Sequence, residues 1–290
     1  MKPSMQQIDN FIKKAIEEDV GPGDYTSLAC ISEDMRSSAQ LLVKDVGVIA
    51  GIEVAQRAFE LVDPEFQFEA YIKDGSAVRP GDVAFTVYAN TRALLKIERV
   101  VLNTMQHMSG IATLSNQFLF EVEDLDVTVL DTRKTTPLLR FLEKWAVQLG
   151  GCSNYRFGLY DRFMIKDNHI DACGGIAPAL DSVWAFRQSH QLDLPLTVEV
   201  RNLEEVWQVL ECGVGKVSRL MFDNFELPLL REAVAIVGDT FETEASGGIT
   251  LHNIRKVAQT GVQFISVGAL THSATHLDMS LKILPSSRKY

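Results

Sequence analysis

Residues 196–222, LTVEVRNLEEVWQVLECGVGKVSRLMF, decide the fold because they contain a strand, a helix and a second strand in succession. The apolar and β-branched runs 196–200 and 220–222 are typical of buried strands. Between them, Leu203–Cys212 repeats apolar side chains at helical spacing, and Gly213 follows as a helix stop. This order predicts a parallel βα unit.

The same alternation extends through most of the second half of the chain. Each predicted strand is followed by a polar loop, and the predicted helices end near glycine. No G-x-G-x-x-G turn follows a strand, so a barrel is favoured over an open nucleotide-binding sheet. The predicted strands are 127–130, 163–165, 196–200, 220–222, 241–245 and 264–267, and the predicted helices include 137–149, 203–212 and 251–260.

The first third of the chain has a different pattern. Residues 4–20 predict an amphipathic helix, and residues 24–27 predict a short polar loop. Alternating apolar residues predict mostly strands over 38–90, and residues 91–122 predict a long helix. A separate N-terminal domain is therefore expected ahead of the barrel.

Composition excludes several classes of partner. The 290 residues carry a formal net charge of −10 and a pI near 5.1, so nucleic acid and anionic membranes are not expected to bind. With 46% hydrophobic residues the chain can bury a sizeable core, and no segment predicts a membrane span. The four cysteines are scattered without metal-ligand spacing, which indicates reduced thiols and a cytoplasmic protein.

Charged residues or glycine-bearing turns follow every predicted strand. The carboxyl ends of parallel barrel strands lie at one mouth, so these residues are expected to form one site. They are Arg133, Lys134, Lys166, Glu199, Asp223, the turn Ser246-Gly247-Gly248 and the turn Val267-Gly268-Ala269.

The cations at these strand ends indicate a small polyanionic ligand. The net charge of the chain is negative, yet four cations are predicted to lie close together: Arg133, Lys134 and Lys166 at the strand ends, and Arg156 in a nearby loop. Arginine suits bidentate binding of carboxylate or phosphate. The two glycine turns, each expected to precede a helix, predict a phosphate site, with His272 as a further donor.

The carboxylates and histidines leave alternatives open. Glu199 and Asp223 could hold Mg²⁺ through water or bind sugar hydroxyls, and two carboxylates could also serve a glycosidase. The glycosidase hypothesis leaves the cations unexplained. His272 and His276 lie four apart on a predicted helix, but no third zinc ligand is near in sequence.

Nine segments of the sequence match one known family of enzymes. They are EDVGPGDYTS (18–27), ERVVLN (98–103), DTRKTTP (131–137), GGCSNYRFGL (150–159), MIKDNHI (164–170), VEV (198–200), MFDN (221–224), ASGGI (245–249) and SVGALTHS (266–273). In these segments, which follow one another in the family's order from near residue 8 to about residue 280, the sequence resembles the quinolinate phosphoribosyltransferases.

The resemblance implies a pentosyltransferase of de novo NAD synthesis. Quinolinate would attack C1′ of phosphoribosyl pyrophosphate, giving nicotinate mononucleotide, pyrophosphate and carbon dioxide, with Mg²⁺ as cofactor. It also implies an N-terminal α/β sandwich domain, residues 1–110 joined by 273–290, and an incomplete (β/α) barrel over residues 111–272. A homodimer is implied, in which Arg99 reaches the neighbouring subunit's site.

Carried over by position, the resemblance assigns catalysis to four residues and substrate binding to a larger set. The catalytic residues are Lys134, Lys166, Glu199 and Asp223. The substrate contacts are Arg99, Thr132, Arg133, Lys134, Tyr155, Arg156, Lys166, Glu199, Asp223, Ser246, Gly247, Gly248, Val267, Gly268, Ala269 and His272.

Tyr155 departs from the family, which usually has histidine there. A tyrosine hydroxyl donates a hydrogen bond but does not become a cation near neutral pH. Three rivals remain: a nicotinate phosphoribosyltransferase, a non-catalytic anion-binding paralogue and a lysine aldolase using Lys166. The number of cations favours a dicarboxylate over nicotinate.

Overall fold

A computed structural model describes residues 2–285. The chain divides into two compact units. Unit 1 comprises the described residues of Met1–Asn116, Phe141–Gly151 and Ser273–Tyr290, and unit 2 comprises Gln117–Arg140 and Cys152–His272. The division expected from the sequence differs in two places, because unit 1 continues past residue 110 and includes Phe141–Gly151. Of the predicted C-terminal contribution, residues 286–290 lie outside the described residues.

Helices and strands alternate along most of the chain. The helices are α1 Met5–Val20, α2 Tyr25–Cys30, α3 Ile52–Val62, α4 Thr91–Phe120, α5 Arg140–Leu149, α6 Asp167–Cys173, α7 Ile176–His190, α8 Leu203–Cys212, α9 Leu227–Val237, α10 Ile254–Ala258 and α11 Ala269–His272. The strands are β1 Arg36–Val43, β2 Gly47–Val48, β3 Gln67–Ala70, β4 Ala77–Val78, β5 Val83–Asn90, β6 Thr128–Leu130, β7 Phe163–Ile165, β8 Leu196–Val200, β9 Arg219–Asp223, β10 Glu242–Ser246, β11 Phe264–Ser266 and β12 Met279–Ile283.

Unit 1 is built on an antiparallel sheet with strand order β12-β1-β5-β3. Its aromatic core includes Phe59 of α3, whose ring centroid lies 6.1 Å from that of Phe85, and Phe68, whose centroid lies 4.5 Å from Phe85. Helix α1 contributes the buried Ile8 and Ile12. Burial of these side chains supplies the hydrophobic stabilisation of unit 1.

Unit 2 is built on a six-stranded parallel sheet with strand order β6-β11-β10-β9-β8-β7. This is the arrangement expected for the incomplete barrel. Every residue of β8 is buried, as in parallel strands covered on both faces. Because all six strands are parallel, their carboxyl ends lie at one edge, called the rim below.

Three predicted elements were wrong in kind or extent. Residues 38–90 include helix α3, which the strand interpretation missed although its buried side chains fall at helical spacing. The loop at 24–27 instead begins helix α2, because the Asp24 carboxylate accepts a hydrogen bond from the Ser27 N–H at 3.1 Å and caps it. Helix α5 begins at Arg140 rather than 137, since Leu138 has a left-handed φ of 69°.

The paired histidines do not share a helix. Helix α11 ends at His272, and His276 lies beyond it in irregular chain. Across residues 2–285 no group of three or more His, Cys, Asp or Glu side chains is placed to hold a metal ion. Within the same residues, no helix combines the length and apolarity that a membrane span requires.

Candidate active site

Three neighbouring strands of unit 2 have a charged residue at or next to their carboxyl ends. Glu199 lies in β8, Asp223 ends β9, and Lys166 follows β7 directly. The Lys166 ammonium contacts the Glu199 carboxylate, which is only 7% exposed. The rim therefore carries a lysine–glutamate ion pair with a second carboxylate on the adjacent strand.

The loop after β6 holds Lys134 beside the last glycine turn. The Lys134 N–H donates to the Thr132 hydroxyl at 3.0 Å, and the Thr271 hydroxyl donates to the Lys134 carbonyl at 2.7 Å. A Cβ atom on Gly268 would lie 2.9 Å from Lys134 Cδ and 3.2 Å from His272 Nε2. Glycine at 268 thus lets the lysine side chain and the imidazole approach the turn closely.

Arg133 and Arg156 are half-buried cations. The Arg133 Nε atom is buried and has no hydrogen-bond partner among the described residues. Burial lowers the pKa of Arg156, and the positive charge of Arg133 lowers it further. Because a guanidinium stays charged at physiological pH, the two cations favour an anion between or beside them.

Tyr155 is held at both its backbone and its hydroxyl. Its N–H donates to the carboxylate of the fully buried Asp131 at 2.8 Å, which also accepts from the Asn154 amide at 2.7 Å. The hydroxyl lies 2.8 Å from the Thr197 hydroxyl and hydrogen-bonds to Glu244. Burial raises the pKa of Tyr155 to about 12, so its side chain is neutral. Tyr155 as a direct substrate contact stays a prediction.

The Ser246-Gly247-Gly248 turn lies against the loop after β9. The Asn224 N–H donates to the Ser246 carbonyl at 2.8 Å, and the Asn224 amide donates to Asp223 at 3.1 Å. The helix predicted over 251–260 is present but shorter, because α10 spans Ile254–Ala258 and does not follow the turn directly. Any phosphate bound here would meet the backbone N–H groups of the turn itself.

Replacing Gly247 with alanine is expected to destabilise the chain by about 1–3 kcal/mol. The φ of Gly247 is +96°, and an added Cβ would lie 2.2 Å from the Asn224 side-chain oxygen. The substitution should therefore also displace Asn224 from Asp223 and weaken the binding of an anion at this turn. Gly238→Ala is the matched control, since Gly238 has a φ of +52° but nothing within 4 Å. Equal losses in urea unfolding for the two variants would contradict the proposed steric role of Asn224.

The remaining predicted residues are placed as follows. Val267 donates its N–H to the Leu130 carbonyl at 2.9 Å, joining the turn before Ala269 to the end of β6. Arg99 is an exposed residue of α4 and belongs to unit 1, whereas all the other predicted site residues belong to unit 2. Arg162 and Asn224 are not among the predicted site residues: Arg162 precedes β7, and Asn224 follows β9 but carries no charge.

The comparison with protein families accounts for both units. The model of the quinolinate phosphoribosyl transferase N-terminal domain matches residues 24–109, and that of the C-terminal domain matches residues 111–282. The chain belongs to the quinolinate phosphoribosyltransferase family. The resemblance expected from the sequence segments is confirmed.

Individual members of the family match along nearly the whole chain. A chloroplastic nicotinate-nucleotide pyrophosphorylase (carboxylating) from Arabidopsis thaliana is 46% identical over 94% of this chain and 81% of its own length. A probable enzyme of the same name from Bacillus subtilis is 38% identical over 97% and 95%. The crystal structure of NadC from Streptococcus pyogenes superposes with a TM-score of 0.91 at 36% identity, covering 98% of this chain and 99% of that one. The predicted fold class is confirmed.

Proposed function

We propose that this chain transfers the phosphoribosyl group of phosphoribosyl pyrophosphate to quinolinate, with loss of carbon dioxide. The products are nicotinate mononucleotide, pyrophosphate and CO₂. The observation that carries the proposal is the set of half-buried cations Arg133, Arg156 and Lys166 at one end of a parallel sheet. In a chain with a net charge of −10, such a set needs an anionic ligand, and quinolinate brings two carboxylates.

The first chemical step forms the bond between the pyridine nitrogen and C1′. The C1′–oxygen bond breaks at the same centre, and pyrophosphate leaves with the bonding electron pair. Positive charge develops on C1′ of the ribosyl group as the pyrophosphate leaves. The carboxylates of Glu199 and Asp223, at the ends of adjacent strands, are the groups that would stabilise this charge.

The second step removes the carboxylate next to the new nitrogen–carbon bond. Its carbon–carbon bond breaks, CO₂ departs, and the electron pair stays on the ring carbon beside the cationic nitrogen. A proton from water then takes the place of CO₂. Lys166 and Arg133 would hold the dicarboxylate in one orientation for both steps. Because the cationic ring nitrogen stabilises the electron pair, no added electron-sink cofactor is required.

Mg²⁺ is part of the proposal. Carboxylate oxygens such as those of Glu199 and Asp223 are suitable donors. Glu199 already contacts Lys166, and the described residues hold no three-ligand cluster. Glu199 and Asp223 would hold the ion through water. Bound there, the ion would compensate the charge of the leaving group.

One assay decides between the substrates. The purified chain would be incubated with Mg²⁺, phosphoribosyl pyrophosphate and either carboxyl-labelled quinolinate or nicotinate. Release of labelled CO₂ with formation of nicotinate mononucleotide is expected from quinolinate. Product from nicotinate alone would contradict the proposal, and tight quinolinate binding without turnover would favour a non-catalytic paralogue.

The homodimer with a shared Arg99 is likewise a proposal. Exposure of this arginine on α4 is compatible with a role outside its own subunit. Mixing Arg99→Ala chains with Glu199→Ala chains would give hybrids with one intact site of two. At equal amounts, random exchange should restore about a quarter of the wild-type activity. Demonstrated hybrids without activity would place Arg99 in its own subunit's site or outside the chemistry.

We also propose a cytoplasmic location for this chain. All four cysteines are free thiols, which suits a reducing compartment. The names of plant relatives place those proteins in chloroplasts or mitochondria. Imaging of the tagged chain in its own cells would test the location directly.

A further inference from the structure

Arg162 lies directly before β7, and its guanidinium reaches the neighbouring strand. Its Nη1 atom donates to the Thr197 hydroxyl at 3.0 Å. Thr197 and Glu199 are two residues apart in β8, so their side chains lie on the same face of the sheet. Arg162 therefore lies on the face of β8 that carries the rim ion pair.

The ring of Tyr155 lies between two arginines that differ in their counter-charge. The Arg162 guanidinium carbon is 5.5 Å from the ring centroid, and that of Arg219 is 5.6 Å from it. Arg219 pairs with Glu242 at 2.8 Å and Glu244 at 3.1 Å. Among residues 2–285, no carboxylate lies within ion-pair distance of Arg162, whose guanidinium donates to the Thr197 hydroxyl. The charge of Arg219 is balanced and that of Arg162 is not.

The uncompensated charge of Arg162 adds to that of its neighbours. The Arg156 Nη1 atom donates to the Arg162 carbonyl at 3.4 Å, and the Arg162 cation contributes to lowering the Arg156 pKa. Arg133, which also lowers that pKa, has a buried Nε without a partner among the described residues. Half-buried like charges are costly unless an anion compensates them. The three guanidinium groups together fit a ligand with more than one negative charge.

We propose that Arg162 is a further substrate-binding residue that binds a carboxylate of quinolinate and sets the preference for a dicarboxylate. The inference rests on the proposed function for the identity of the acid. Thr197 and the face of Tyr155 position the guanidinium, and neither supplies a negative charge. A mono-acid would leave part of this positive charge uncompensated, so Arg162 selects against it.

The test compares Arg162→Gln with Arg162→Lys. Loss of one charged hydrogen-bonding group should raise KM for quinolinate by about 10- to 100-fold in Arg162→Gln. KM for phosphoribosyl pyrophosphate should stay within about twofold, and lysine should restore part of the affinity because it keeps the charge. Arg231→Gln is the matched control, since Arg231 is an exposed residue of α9 and its replacement removes the same charge.

Calorimetric binding of phthalate, a dianion without the reactive nitrogen, separates this inference from the proposed function. Weaker phthalate binding by Arg162→Gln supports the role of Arg162 even if the wild type does not turn over quinolinate. Unchanged phthalate affinity would overturn it. So would equal increases of both KM values with a lowered melting temperature, which would indicate a structural role. Should Arg162→Gln fail to fold, Arg162→Lys must still show a raised KM for quinolinate alone.

Discussion

Replacing Lys166 with methionine is expected to lower kcat/KM for quinolinate by about 10²- to 10³-fold. The Lys166 ammonium contacts Glu199, whose carboxylate is almost fully buried. Without that cation, Glu199 is left as an uncompensated buried charge, and its carboxylate is no longer held in place. The site would then lose both the cation and the carboxylate to which the proposed mechanism assigns quinolinate binding and stabilisation of the ribosyl centre. Release of labelled CO₂ from quinolinate measures the effect.

A double substitution separates the two roles of Lys166. If Lys166 acts mainly through Glu199, the Lys166→Met/Glu199→Gln chain should be little worse than Lys166→Met alone, because the residues then act as a unit. Lys216→Met is the control. The Lys216 ammonium lies 2.7 Å from the carboxylate of the exposed Asp181, and this ion pair is not part of the rim. Activity of Lys166→Met near that of the control would contradict the assignment.

Local patterns predicted the elements of unit 2 well. Helix α8 has the predicted bounds because its apolar spacing and the glycine after it are both local signals. The start of α5 could not be read, since proline at 137 suggested a first turn whereas Leu138 is 91% exposed in a left-handed conformation. Helix α3 was missed because its short apolar run lies among strand-like segments and such runs are ambiguous between strand and helix.

The site was predictable where strand order alone places residues together. Lys166, Glu199 and Asp223 follow from the parallel sheet, because its strands end at one rim. Side-chain direction does not follow from strand order. The Tyr155 hydroxyl bonds to Thr197, and Arg162 reaches the same threonine from the start of a strand. Such contacts depend on the register of strands that are separated in the sequence and on the path of the loop that carries Tyr155.

Replacing Arg219 with glutamine is expected to reduce the free energy of unfolding by about 3–5 kcal/mol. Glu244 is fully buried, and Arg219 is the cation that pairs with it. Burial raises the pKa of Glu244 above its ordinary value of 4.5 even with Arg219 present, and loss of the cation will raise it further. At a pH between the pKa of Glu244 in the unfolded chain and its higher pKa in the folded chain, Glu244 is protonated in the folded chain and ionised in the unfolded chain. The stability of the variant should therefore fall as pH rises through that window, and the loss should be larger at pH 8 than at pH 5.

Urea unfolding of Arg219→Gln and the Arg219→Gln/Glu244→Gln chain at both pH values tests this argument. Removing the carboxylate as well leaves no uncompensated charge, so the double substitution should recover much of the lost stability and its pH dependence. Arg255→Gln is the surface control, because it breaks the exposed ion pair with Asp124 at 2.7 Å and should change stability little. A loss for Arg219→Gln no greater than that of the control, or one independent of pH, would show that Glu244 does not depend on Arg219. In that case Tyr155 and Ser266, the other hydrogen-bond donors to Glu244, would be the groups that stabilise it.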